Sequence, residues 1–180
     1  MSQDVLELIR PKISTVRLTA DDWLTLRDLR LQALDDSPGS FLGDLAAEGR
    51  YSRNRWRQEI GRHDWFIATL DAKPVGLVKL NRNQDSHDGM HLEALWVAPG
   101  ARCRGVGEAL ISAVEKAAAT LGERELKLWI FIDNPTVRDF YLRRGYTGPH
   151  RTQMIAANGR ITYEKEYQKL LEPAFLEHAR

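Results

Sequence analysis

The sequence has little of the material that several large classes of protein require. It carries a single cysteine, Cys103, in 180 residues, which excludes an internal disulfide and a cysteine-based metal cluster and fits a reducing compartment. Its five histidines show no HExxH-type spacing, so no metal is expected. No apolar run approaches the roughly 20 residues that span a bilayer, and Met1-Ser2-Gln3-Asp4 lacks the basic start of a secretory signal. Charge of one sign is also missing: 26 Lys and Arg against 25 Asp and Glu leave a formal net charge of +1, which argues against a nucleic-acid-coating surface. No internal repeat or low-complexity segment breaks the chain. The expectation is a cytoplasmic, soluble protein without nucleic-acid or membrane partners. It should form one domain over residues 1–180, with a core over about 13–171 and a tail, 172–180, that is a short helix or frayed.

What the sequence does contain is concentrated around Arg102-Cys103-Arg104-Gly105-Val106-Gly107. Upstream, His91-Leu92-Glu93-Ala94-Leu95-Trp96-Val97 reads as a strand ended by Pro99-Gly100. Downstream, Val106, Ala109, Leu110, Ala113, Val114 and Ala117 recur at helical spacing. Gly105 and Gly107 let the backbone turn tightly, so first-turn N–H groups and the positive helix end can face an anion. Arg102 and Arg104 add positive charge. A plain connector is the competing reading of such a turn. Two nucleotide signatures fail: Glu108-Ala109 stands where a P-loop needs Lys and Ser or Thr, and Leu110 occupies the third glycine position of a dinucleotide fingerprint.

The remaining pattern alternates strands and helices. A strand is expected at Ile13 to Leu18, then a helix over Asp21 to Asp35 with Thr19 and Asp22 in a capping arrangement, broken by Ser37-Pro38-Gly39. A short helix around Ser52 to Ile60 is anchored by Trp56. Strands Trp65 to Leu70 and Val75 to Leu80 flank Asp71-Ala72-Lys73-Pro74, which has hairpin-turn composition. Leu126 to Phe131 is reached by crossing over and should lie parallel to the Glu93 strand. Asn134, Pro135 and Gly145 mark the start and end of another helix, and Asn158-Gly159 is expected to turn between two last strands. His87 reads as a loop residue and His91 as a solvated strand end.

The pattern Arg-x-x-Gly-x-Gly, followed by Asn134-Pro135-Thr136-Val137-Arg138-Asp139-Phe140-Tyr141-Leu142-Arg143-Arg144-Gly145-Tyr146, resembles the GNAT superfamily of N-acetyltransferases. That resemblance implies an α/β (α+β) fold: a mixed, mostly antiparallel sheet of six to seven strands, with a central parallel pair splayed around the cofactor and about four flanking helices. It implies acetyl-CoA as acyl donor, without a metal. The pantetheine arm would lie along Leu95, Trp96 and Val97, and the diphosphate on Arg102, Cys103, Arg104, Gly105, Val106, Gly107 and Glu108, with Asn134 and Tyr141 also at the cofactor. Cys103 is unusual in such a loop, and Val137 stands where the family often has a smaller Ala.

Transfer to an amine needs a base, because an alkylamine with a pKa near 10.4 is mostly protonated at neutral pH. Glu93 is the candidate, sharing a face with Leu95 and Val97 by strand alternation and raised in pKa by partial desolvation. A sheet-edge salt bridge is its alternative role. The family likeness gives Tyr141 the role of acid to the departing thiolate, against simple core packing, and Asn134 has helix capping as its alternative. The acceptor region should come from the arm between Ala33 and Trp56 and from the final strands. There Asp35, Asp36, Asp44 and Glu48 attract a cationic amine or form a solvated acidic face. The implied function is acetyl transfer to a primary amine of a small molecule. The alternatives are a protein-lysine or N-terminal acetyltransferase and a non-catalytic acyl-CoA sensor, and a homodimer is a family-weighted guess.

Overall fold

The parallel pair demanded by the crossover sits inside a seven-stranded sheet of order β1-β2-β3-β4-β5-β7-β6. The computed structural model describes residues 11–82, 88–157 and 160–173. The strands are β1 (Ile13–Arg17), β2 (Asp64–Leu70), β3 (Lys73–Asn81), β4 (His91–Val97), β5 (Glu125–Phe131), β6 (Thr152–Ala157) and β7 (Arg160–Leu170). The helices are α1 (Trp23–Asp36), the single turn α2 (Leu45–Glu48), α3 (Arg53–Arg62), α4 (Val106–Thr120) and α5 (Pro135–Leu142). Only β4 and β5 pair in parallel; the other neighbours are antiparallel. No helix among the described residues is long and apolar enough to cross a membrane.

Each face of the sheet buries its own cluster. Val78, Leu80, Leu92, Leu128 and Ile130 pack with Val106, Leu110, Ile111 and Val114 of α4 and Tyr141 of α5. On the opposite face, Trp65, Ile67, Leu77 and Trp96 meet Leu26, Leu29, Ala33 and Leu34 of α1 and Trp56 and Ile60 of α3. A strand covered on both faces reads as a continuous apolar run, which is why Trp65 to Leu70 has almost no polar alternation. Each large side chain so buried contributes about 1.5–3 kcal/mol.

Three local expectations are corrected. The β2–β3 turn is two residues, Asp71 and Ala72, with φ of 49° and 64°, and Leu70 pairs directly with Lys73. Lys12 holds it by donating its N–H to Asp71 Oδ1 at 3.1 Å, which lets non-glycine residues keep left-handed φ. His91 is buried, at 4% exposure, because β4 is an interior strand. The third correction concerns phase. Lys79 pairs with Glu93 and Leu77 with Trp96, so Ala94 and Leu95 together oppose Val78, and Ala94 has φ of 55°. This bulge shifts the alternation by one residue. Leu95 and Val97 pack on the α4 face, whereas Glu93 stays with Lys79 on the α1 and α3 face. Asn158-Gly159, His87 and the tail beyond Pro173 lie outside the described residues.

Candidate active site

A single residue pair, His91 with Lys127, joins β4 to β5. Beyond it the two strands diverge, and β4 has no ladder partner on that side among the described residues. The opening is a cavity of about 660 Å³, lined by Glu93, Ala94 and Leu95 of β4, by Leu128, Ile130 and Phe131 of β5, and by Asn134, Val137 and Tyr141 around α5. It is lined as well by Phe41, Tyr51 and Trp56 of the arm and by Gln153, Ile155 and Glu164 of β6 and β7. The strands are pinned at the closed end by charge: Lys127 donates to the Asp88 carbonyl at 3.0 Å, and Arg151 bridges Asp88 and Glu166.

The glycine loop follows β4 directly. Arg102, Cys103, Arg104 and Glu108 are exposed and Gly105 and Gly107 half-buried, while Val106 points into the core. Gly105 caps α4 with φ of 86° and no side chain bonded to the helix end. In three of the other four helices Asp44, Ser52 and Asn134 accept bonds from first-turn N–H groups, while α1, which continues directly from a 3-10 turn at Ala20–Asp22, has no side-chain cap of its own. A Cβ placed on Gly107 would stand 3.2 Å from the Phe140 ring, so glycine keeps the approach between loop and α5 clear. A hollow of about 760 Å³ beside the loop is lined by Cys103, Gly105, Gly107, Glu108, Phe140, Arg143, Arg144 and Lys169. Arg144 lies 3.6 Å over the Phe140 ring and pairs with Glu108; Lys169 pairs with Glu115 at 2.8 Å.

Arg102 points elsewhere. Its Nε donates to the Val97 carbonyl at 2.9 Å and it pairs with Asp36, which also accepts from Trp96 Nε1 at 2.9 Å. The Trp96 bond, then that from Ser37 and the Arg102 contact, hold Asp36 below its ordinary pKa. The proposed acidic face of the arm is therefore largely committed internally: Asp36 to Trp96 and Arg102, Asp44 to capping α2, and Glu48 to Arg30 through two bonds of 2.9 and 2.8 Å. Only Asp35 is a simple exposed carboxylate.

Glu93 reaches the cavity in an ion pair, with Lys79 Nζ 2.6 Å from Oε2 and Asn81 Nδ2 donating to Oε1 at 2.8 Å. Burial pushes its carboxyl up, but the Lys79 ammonium and the bonds from Lys79 and Asn81 outweigh it and leave Glu93 below the ordinary carboxylate value. Desolvation alone predicts the opposite. Lys79 was invisible in the sequence as a partner because its register with Glu93 depends on the bulge. Tyr141 is 5% exposed, edge-on to Phe140 and Tyr146 at 5.4 and 5.3 Å. Burial pushes its phenol far above the usual range. Asn134 both lines the cavity and caps α5, accepting from Val137 N–H at 3.2 Å. Arg143 and Arg144 stand in the second sequence motif without an assigned role, and Lys169 lies outside it. The local signal for the two arginines is that they form the basic pair that closes α5 before Gly145.

The sequence model of the acetyltransferase (GNAT) family matches residues 23–146. The chain belongs to this family. Its members take an acetyl group from acetyl-CoA, and the loop fits the diphosphate of such a donor, with a helix end that no side chain caps and a glycine where a Cβ would crowd Phe140. Over 96 residues the chain is 28% identical to an uncharacterized N-acetyltransferase of Methanocaldococcus jannaschii, an alignment covering 51% of this chain and 42% of that protein. The chain thus matches less than half the length of this relative. The acetyltransferase of GNAT family from Streptococcus pneumoniae shares the fold with a TM-score of 0.73 at 16% identity, over 89% of this chain and 100% of that one. The spermidine N-acetyltransferase from Vibrio cholerae, solved with CoA and spermine, gives 0.68 at 17% identity, over 88% and 95%.

Proposed function

We propose that this chain is an acetyl-CoA-dependent N-acetyltransferase that acetylates a primary amine of a small molecule in one ternary complex. The observation that carries the reading is the divergence of β4 from β5 after one residue pair, with the wide end leading to the uncapped start of α4. When bound, acetyl-CoA supplies a thioester carbonyl, which the amine attacks; the C–S bond breaks, the nitrogen loses one proton and the sulfur gains one. First-turn N–H groups of α4 hold the diphosphate, and the unpaired edge of β4 offers backbone donors to the pantetheine arm and the developing oxyanion. Glu93, its charge paired with Lys79, takes through water the proton that the amine must lose, since a carboxylate held below its ordinary value is a weak direct base for an amine. Tyr141, kept protonated by burial, donates to the leaving sulfur. The walls formed by the arm and by β6 and β7 favour a small acceptor over a protein chain.

The test is titration with acetyl-CoA followed by amine-dependent thiol release. Saturable binding and release are expected; absence of acetyl-CoA binding would overturn the reading.

A further inference from the structure

Two carboxylates of β7, two residues apart and on one face, are both buried and are treated differently. Glu166, 3% exposed, receives the Arg151 guanidinium, with Nε donating at 2.9 Å. Glu164, 6% exposed, accepts from the neutral Gln153 amide at 2.5 Å. Among the described residues no cationic side chain forms an ion pair with it. A carboxylate taken from water without an opposite charge is costly, and an amide offsets only part of that cost. The other acids lining the cavity are balanced: Glu48 by Arg30, Glu59 by Arg55, Glu93 by Lys79 and Asp88 by Arg151. The uncompensated negative charge of the cavity therefore lies at Glu164, which pairs in register with Phe131 at the end of β5.

We infer that Glu164 is the counter-ion for a second cationic group on the acceptor, which makes the substrate class an aliphatic diamine or polyamine. This rests on the reading above that the cavity receives the acceptor. The reacting nitrogen does not suit Glu164, because it must shed its charge to attack and ends as a neutral amide, leaving the buried carboxylate unpaired. A distal ammonium stays charged throughout, takes no part in bond making, and keeps Glu164 matched from binding to product. Gln153, directly across from Glu164 in the β6–β7 register, orients the carboxylate for it.

Putrescine and n-pentylamine differ by one terminal ammonium against a methyl group, and their steady-state comparison tests the inference. The wild-type KM for putrescine should be at least about 10-fold lower, the size of a bond to a buried charge. Glu164→Gln should bring the two amines to within about twofold of each other. Gln153→Lys, which places an ammonium of the chain's own beside Glu164, should also erase the preference, with a Tm equal to or above wild type. A second readout needs no turnover: putrescine should raise the wild-type Tm and leave both variants unmoved. Equal KM values in the wild type, or a putrescine preference that survives in both variants, would overturn the inference. Lack of acetyl-CoA binding would instead end the acetyltransferase reading, and the putrescine melting shift would still decide the role of Glu164.

Discussion

The helices that follow the two parallel strands begin in opposite ways. α5 starts with Asn134, whose side chain accepts from Val137 N–H, and with Pro135, which has no N–H to satisfy. α4 starts with Gly105 in the left-handed region and no capping side chain. Both helix ends present orphan donors and a positive dipole end; one is satisfied by its own chain and the other is left for something outside it. Equivalent positions in the topology thus differ at the cap, and the end proposed to bind the diphosphate is the one that starts with glycine.

Substitutions at the two caps should separate these roles. Gly105→Val places a β-branched residue at φ of 86°, a strain of about 1–3 kcal/mol. It should move the first-turn amides and weaken acetyl-CoA about 100-fold, as measured by calorimetric titration; unaltered affinity would mean α4 is no more a ligand site than α5. Tyr141→Phe removes the proposed proton donor without emptying the core, so kcat should fall about 100-fold while KM for acetyl-CoA holds within about twofold. Equal turnover would remove the acid.

Glu93→Gln should lower kcat/KM for the amine about 10-fold. It should also alter acid stability in a fixed direction. Because the folded pKa of Glu93 is depressed, the stability it contributes is complete above the ordinary carboxylate value and is lost as pH falls through the folded value. Urea unfolding of the variant below pH ~4.5 should accordingly show a flatter pH slope than wild type; a steeper one would contradict the Lys79 pairing. The smallest effect is expected at the other cap. Asn134→Ala should cost about 1 kcal/mol, a Tm drop of about 2–4 °C, with acetyl-CoA affinity far less affected than in Gly105→Val.

Much of the architecture could be read along the chain because its signals are local. β4 runs from His91 to Val97 as the apolar run marked it, and α5 lies between Asn134 and Gly145 because cap and terminator act within one turn. The glycine loop was legible for the same reason. Glu93 is legible as a residue but its environment is not: the bulge at Ala94 reverses its face relative to Leu95, and the fold sets Lys79 and Asn81 on its carboxylate. Arg102 was expected at the diphosphate and instead bonds Val97 and Asp36. His91 looked like a solvated end because nothing near it in sequence reveals that β5 and β7 lie beyond it.

The sequence by itself determined the elements, the uncapped glycine start of α4 and the order of motifs that marks the family, since each depends on φ preferences and apolar spacing over a few residues. Tertiary structure alone decided which charges are spent and which remain. Glu166 and Glu164 are alike in the sequence, and only the packing of β6 against β7 gives one a guanidinium and the other an amide, because the strength of a charge in a protein is set by what the fold brings within a few ångströms of it.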